Sequence, residues 1–380
     1  MRTMNAIITS KKTWLTLLLL AGFAPFAYWQ RTPVLTWYYV RELAVAYQEN
    51  RDECARRVVS LDEAAVPRVL SGLHNPDALV CGNMTHALVL LGKRWGVTDP
   101  RSQRLLQCIH DQYSGYSPAG REKALLFLTR FLQQDGPRPL PLNMTKLVSD
   151  VLLQADKSDE VRAASLLLAA ELVECVPPGQ WVDVCREMAE RGMRDKHAGT
   201  RIAAVQMLLR APMRNERILY EKAITLLSDK EPAVRRAAVV ALASASEFVR
   251  EEALLARLHD EDIEVQYLCE IALAKRGLTS EEVEMARDIS DKNPATRMRV
   301  LHRICRMPDL NLAAWLRQLS HDPVPAVRAA AVRAAGEHPQ IDLTERLREI
   351  AEQDPSEAVR LNARYYLAQR ATNLARESYP

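Results

Sequence analysis

Residues 229–244 read DKEPAVRRAAVVALAS, and residues 322–336 read DPVPAVRAAAVRAAG. Each copy opens on an aspartate, places proline where the first turn of a helix tolerates it, and continues in small apolar residues. One copy predicts a helix. Two copies predict a repeat, and a repeat decides the fold of the chain around it.

Slid along the sequence, the phrase recurs. Asp stands six residues before Arg, and Val or Thr directly before it, at Asp156 and Arg162, Asp195 and Arg201, Asp229 and Arg235, Asp291 and Arg297, Asp322 and Arg328, and Asp354 and Arg360. At Asp260 the aspartate stays and Gln266 replaces the arginine. Counted from Arg162, successive Arg-register positions lie 39, 34, 31, 31, 31 and 32 residues apart. Each aspartate falls in the short turn before a helix, where its side chain can accept orphan backbone N–H groups. Val or Thr starts a buried stripe, as in Thr296, Val300 and Ile304 at four-residue spacing. The arginine is long enough to reach the turn aspartate of its own or a neighbouring repeat, so these residues predict a ladder of charge-assisted bonds with a weaker rung at Gln266. A catalytic site is built once, whereas this pair is built in every repeat, so the ladder reads as structure.

Between these helices lies another apolar-striped segment per period, at 216–229, 247–260, 309–321 and 342–353, so that the Asp–Arg phrase opens the second helix of each unit. Thr279 and Glu282 have the spacing of a capping box for one more. Each unit is therefore two antiparallel helices, which cannot bury their apolar faces alone and must stack.

The phrase resembles that of the HEAT-repeat family in its short bacterial, PBS-lyase-like form. The resemblance rests on Asp229, Pro232, Val234 and Arg235, and on Asp322, Pro325, Val327 and Arg328, and extends over residues 143–372. Tetratricopeptide and ankyrin signatures are absent. The expected fold is all-α: a right-handed α-solenoid of stacked antiparallel helix pairs, preceded by one transmembrane helix. Upstream, 75–95 and 117–133 read as degenerate second helices inside a region 33–142 that opens with a capping helix at 33–50. The segment 133–143, QQDGPRPLPLN, is a Pro-rich break, and 373–380 reads as a tail.

Two lysines precede a charge-free run from Thr13 to Gln30. Its eighteen residues would span about 27 Å as a helix, with Trp14, Tyr28 and Trp29 at the ends, as interface aromatics are. The expectation is a basic segment 1–12 followed by a membrane anchor 13–30. The flanking charge favours a cytoplasmic N-terminus and an extracytoplasmic solenoid. The cysteines pull the other way: seven are an odd number, most lie in apolar helical runs, and free thiols suit a reducing compartment. Cys175 and Cys185, which flank VPPGQ, are the pair to suspect of a disulfide.

The sequence carries no GxSxG, no phosphate-binding glycine loop, no HExxH and no cysteine–histidine zinc spacing. His74, His86 and His110 are too far apart to be ligands on one helix. No cofactor is expected. The net charge of +3 over 380 residues speaks against a nucleic-acid partner. One basic strip stands out in 292–308, KNPATRMRVLHRICRMP: Arg299, Arg303 and Arg306 fall on the side of the helix away from the buried stripe. In the family it resembles, second helices line the concave surface, so the resemblance implies a basic strip facing a groove where carboxylates or phosphates could dock. The expected function is a membrane-tethered scaffold that holds a protein partner. The alternatives are a structural subunit of a larger membrane complex, or a HEAT-like chromophore lyase or other small-molecule enzyme.

Overall fold

The computed structural model describes residues 32–134, 139–156, 158–177, 179, 181–305, 312–338 and 341–377, and every regular element among them is a helix. The chain divides into two compact units, Met1–Leu226 and Leu227–Pro380. The first holds α1 (32–44), α2 (Arg51–Ser60), α3 (Val66–Ser71), α4 (Ala78–Trp95), α5 (Pro100–Gln112), α6 (Pro118–Gln133), α7 (Leu142–Ala155), α8 (Arg162–Cys175), α9 (Val182–Met193), α10 (Ala198–Gln206) and α11 (Arg217–Leu226). The second holds α12 (Pro232–Leu242), α13 (Glu252–Leu255), α14 (Ile263–Lys275), α15 (Ser280–Ile289), α16 (Pro294–Ile304), α17 (Leu312–Leu319), α18 (Pro325–Glu337), α19 (Thr344–Gln353) and α20 (Glu357–Glu377).

Local chemistry sets the helix starts. Pro100, Pro118, Pro232, Pro294 and Pro325 each occupy the first helical position, where no intrahelical N–H is needed. Asp77 and Ser117 cap α4 and α6 by accepting from Leu79 N and Gly120 N, at 2.8 and 2.9 Å. At α15, Thr279 Oγ1 accepts from Glu282 N at 3.2 Å and Glu282 Oε2 accepts from Thr279 N at 2.7 Å, so the capping box is complete.

Within the first unit α4 packs on α6, α6 on α8 and α8 on α10, while α7 and α9 brace α8. Second helices thus stack on second helices at alternate positions in the chain, and the sequences read as degenerate repeats, α4 and α6, stand in the same stack as the regular ones. Leu140, near the end of the Pro-rich stretch, donates its N–H to Cys175 O at 3.0 Å and so is tied to the end of α8. Asn83 is buried in α4 and donates to the carbonyls of Leu43 and Ala46, at 3.0 and 2.9 Å, closing the end of α1. The stack is close enough that a Cβ on Gly120 would sit 1.8 Å from the Leu73 carbonyl oxygen.

Within the second unit α12 packs on α14, α16 on α18 and α18 on α20, whereas α14 and α16 barely touch. Its core joins Met285, Val300, Ile304, Leu316, Val327 and Leu347 with the small Ala331 and Ala335. Alanines let neighbouring helices approach, and leucine, valine and isoleucine fill the space between them. The helix α20 runs through to Glu377, past the expected start of the tail.

The expected membrane placement is corrected here. Among the described residues no helix is long and apolar enough to cross a membrane. The stretch 13–30, on which that placement and its orientation rested, lies outside the described residues.

Candidate protein-interaction face

The repeat phrase resolves into one recurring piece of geometry. Arg297 Nη1 donates back to the carbonyls of Asp291 and Lys292, at 2.6 and 3.0 Å. Its Nε and Nη2 point forward and pair with both carboxylate oxygens of Asp322, at 2.5 and 2.9 Å. Arg328 repeats this one period on, with Nη1 on Asp322 O at 2.8 Å and a forward fork onto Asp354 at 2.8 and 2.9 Å. Arg235 does the same between Asp229 O and the Asp260 carboxylate. The fixed guanidinium fork suits this bidentate contact.

The aspartates work in both directions too. Asp229, Asp260, Asp291, Asp322 and Asp354 each accept through Oδ1 from the backbone N–H two residues on, at 2.6 to 3.0 Å. That bond folds the turn ahead of the helix rather than capping the helix itself. Both charges are buried: Arg297 and Asp322 are each 7% exposed. In the first unit Asp195 receives Arg162 and also holds the His197 N–H at 2.8 Å, while Arg201 donates to the carbonyls of Asp195 and Lys196 at 2.9 and 3.1 Å. Asp156 pairs with Arg191 at 2.6 Å. Arg360, in the last repeat, makes the backward bond, to Asp354 O at 2.6 Å, and no forward pair among the described residues.

Burial works to raise the carboxyl of Asp354, but Arg328 and the Ser356 N–H outweigh it and hold the group below the usual carboxylate range. Asp195 is likewise held down against burial, by the His197 N–H and Arg162.

Gln266 makes only half the contact. Its Nε2 donates to Asp260 O at 2.6 Å, the same backward bond, and among the described residues it makes no bond to Asp291. The missing forward fork coincides with the slight contact of α14 with α16. A second set of arginines, which the sequence reading missed, ties helix ends instead. Arg276, at the end of α14, donates to the carbonyls of Leu242, Ala243 and Val249 at 2.6, 3.1 and 2.8 Å. Arg370 in α20 donates to the carbonyls of Ala335 and Ile341, at 2.6 and 3.1 Å. Both satisfy last-turn carbonyls of the preceding second helix. Each lies ten residues after Gln266 or Arg360, which make no forward pair among the described residues, and that offset was the available signal.

The three strip arginines fare differently. Arg299 is exposed, with one hydrogen bond, to Thr296 Oγ1 at 3.2 Å. Arg303 is not free: its Nη2 reaches Glu284 at 3.1 Å and Glu281 at 3.5 Å, both on α15. The strip contains no acid in sequence, but the neighbouring helix supplies two. Arg306 lies outside the described residues.

Other clusters are closed on themselves. Asp62 has a left-handed backbone, φ 55°, and accepts from Trp95 Nε1 and Arg101 Nη1, both at 2.6 Å. His74 meets the Gly115 carbonyl at 2.8 Å, His86 sits 2.7 Å from Asp52, and His110 lies 2.9 Å from Asp111, so the three are separate. Among the described residues no group of three or more His, Cys, Asp or Glu converges on a metal-sized site. Cys185 is a buried free thiol facing the Ala169 carbonyl at 3.7 Å, so the suspected bridge to Cys175 is not formed. Burial pushes its thiol up to about 12.

What the ladder leaves open is the outer face of the second helices. One residue past the Arg register stand Arg236, Tyr267, Met298, Ala329 and Leu361, and five past it stand Val240, Ile271, His302, Arg333 and Tyr365. All of these are exposed or half-buried.

Residues 283–368 match the family model of HEAT repeats, from within α15 to within α20. Among solved structures the chain is similar to one from a study titled "Structural Basis of Tubulin Recruitment and Assembly by Microtubule Polymerases with Tumor Overexpressed Gene (TOG) Domain Arrays", at 13% identity. That alignment covers 82% of this chain and 84% of the other, with a TM-score of 0.24. No curated protein matches the sequence.

Proposed function

We propose that the protein is an interaction scaffold that holds a protein partner on the exposed face of its second helices. The observation that carries the reading is a division of labour along each helix. The Arg-register residues are buried or half-buried, and the small apolar residues behind them are buried in stacking. The positions one and five residues on stay at the surface and differ from repeat to repeat. A repeat array evolves new partners by changing such positions while its stacking residues stay fixed. The family match over residues 283–368 supports the same reading. Arg299, two residues past the register and exposed, borders this face. Arg303 contributes only if a partner displaces its glutamates, and Arg306 follows it in sequence.

Purification of the full chain from its native source, with mass spectrometry of what accompanies it, tests the reading. A stoichiometric protein partner is the expected result. A chain that repeatedly purifies alone, under conditions that keep it folded, sinks it.

A further inference from the structure

The exposed face of the second unit has a chemical order. On α14, Ile263 and Tyr267 are 81% and 61% exposed, one helical turn apart. On α20, Leu361 and Tyr365 are 55% and 62% exposed, again one turn apart. Apolar side chains that large, paired at i and i+4 toward solvent, do not serve the core. Between these two helices stand α16 and α18, which present Arg299 and Arg333. Neither arginine meets a carboxylate among the described residues, whereas Arg236 and Arg303 on the same unit do. The face is therefore apolar, cationic, cationic, apolar across four successive second helices.

We propose that this face binds an acidic segment of a partner protein: carboxylates in its middle meet Arg299 and Arg333, and an apolar side chain near each end packs beside Tyr267 or Tyr365. The proposal rests on the scaffold reading and names the partner's chemistry. Unpaired exposed arginines favour carboxylates, and tyrosine offers large contact area at low entropic cost. Neighbouring packed helices lie about 8–10 Å apart, and α14 and α16 are not so closely packed, so three steps from α14 to α20 cover at least roughly 30 Å. An extended segment of about nine residues or a helix of about twenty would span it. Nucleic acid would also seek the arginines, but it has no use for Ile263 and Leu361, the most solvent-directed aliphatic groups on the face.

The test uses the full chain as bait for a displayed library of random sixteen-residue peptides. In parallel, the library is selected on a variant carrying Tyr267→Ser, Arg299→Glu, Arg333→Glu and Tyr365→Ser. All four positions are exposed or unpaired, and circular dichroism checks that the variant folds; Arg333→Ala alone serves if it does not. Recovered peptides are expected to carry Asp or Glu between apolar residues and to bind the variant at least tenfold more weakly. Their affinity should fall with salt. Peptides without an acidic bias, peptides that bind the variant equally, or no enrichment at all would overturn the proposal. A twenty-nucleotide polyuridylate measured by fluorescence anisotropy separates the electrostatic alternative: tighter binding than the best peptide would overturn it in favour of nucleic acid. A natural partner retained by the variant would leave the scaffold reading standing and remove this face from it.

Discussion

A ladder arginine joins two repeats because its donors diverge. Nη1 of Arg297 satisfies carbonyls of the turn just behind it, and the other edge of the same guanidinium grips Asp322 ahead. Lysine offers a point charge and could not serve both directions. Removing one member leaves a buried, unpaired charge, so Asp322→Ala is expected to cost about 3–5 kcal/mol of stability in the second unit, read by urea denaturation. The converse applies at the defective rung. Gln266→Arg supplies the missing fork toward Asp291, and Tm should rise by about 2–4 °C for a gain near 1 kcal/mol. An unchanged Tm would mean that α14 and α16 stand too far apart for the fork to close. The spacing of Asp and Arg made this contact legible in sequence. Its direction was not legible, because own-turn and next-turn aspartates are equally good partners on paper and only the backbone decides between them.

At the scale of the helix, the ends carry the information that the apolar stripe omits. Arg276 and Arg370 occupy positions that look like ordinary surface arginines, yet each holds the last carbonyls of the helix before it. Burial lowers Arg276 below the usual arginine range, opposed by the charge of Glu251. Arg276→Met should therefore loosen the C-terminal turn of α12, seen as faster amide exchange there than at its N-terminal end. Close approach is the other end effect. Gly120→Ala places a methyl group against the Leu73 carbonyl, and a loss of about 1–3 kcal/mol is expected in thermal melts. The periodicity of α6 predicted a helix and its burial, but not which residue would face a backbone from the preceding repeat. That contact spans more than forty residues, and nothing local encodes it.

Across the whole chain, the buried carboxylates set the response to acid. Asp195 and Asp354 titrate lower in the folded chain than in the unfolded one. The unfolded state thus binds more protons in acid, and stability rises with pH until the ordinary aspartate range near about 4 is passed. The contribution is complete above that value and is lost as pH falls through the folded values. Melting temperature followed between about pH 2.5 and 7 should drop most steeply below about 4, with a shallower rise continuing towards 7 because burial lowers His86 and His321. A flat profile throughout would mean these aspartates are not held as described. The repeat and its helix pairs were legible in the sequence because they recur. The acids that neutralise Arg303 were not, because Glu281 and Glu284 come from a helix that the strip's own sequence does not contain. The ladder has one more property, which concerns the order in which the chain is made. Arg235, Arg297 and Arg328 each wait for an aspartate 25 or 26 residues later in the chain. On the ribosome every such arginine leaves the exit tunnel before its partner does, so in this part of the chain each repeat is locked only once the next has emerged.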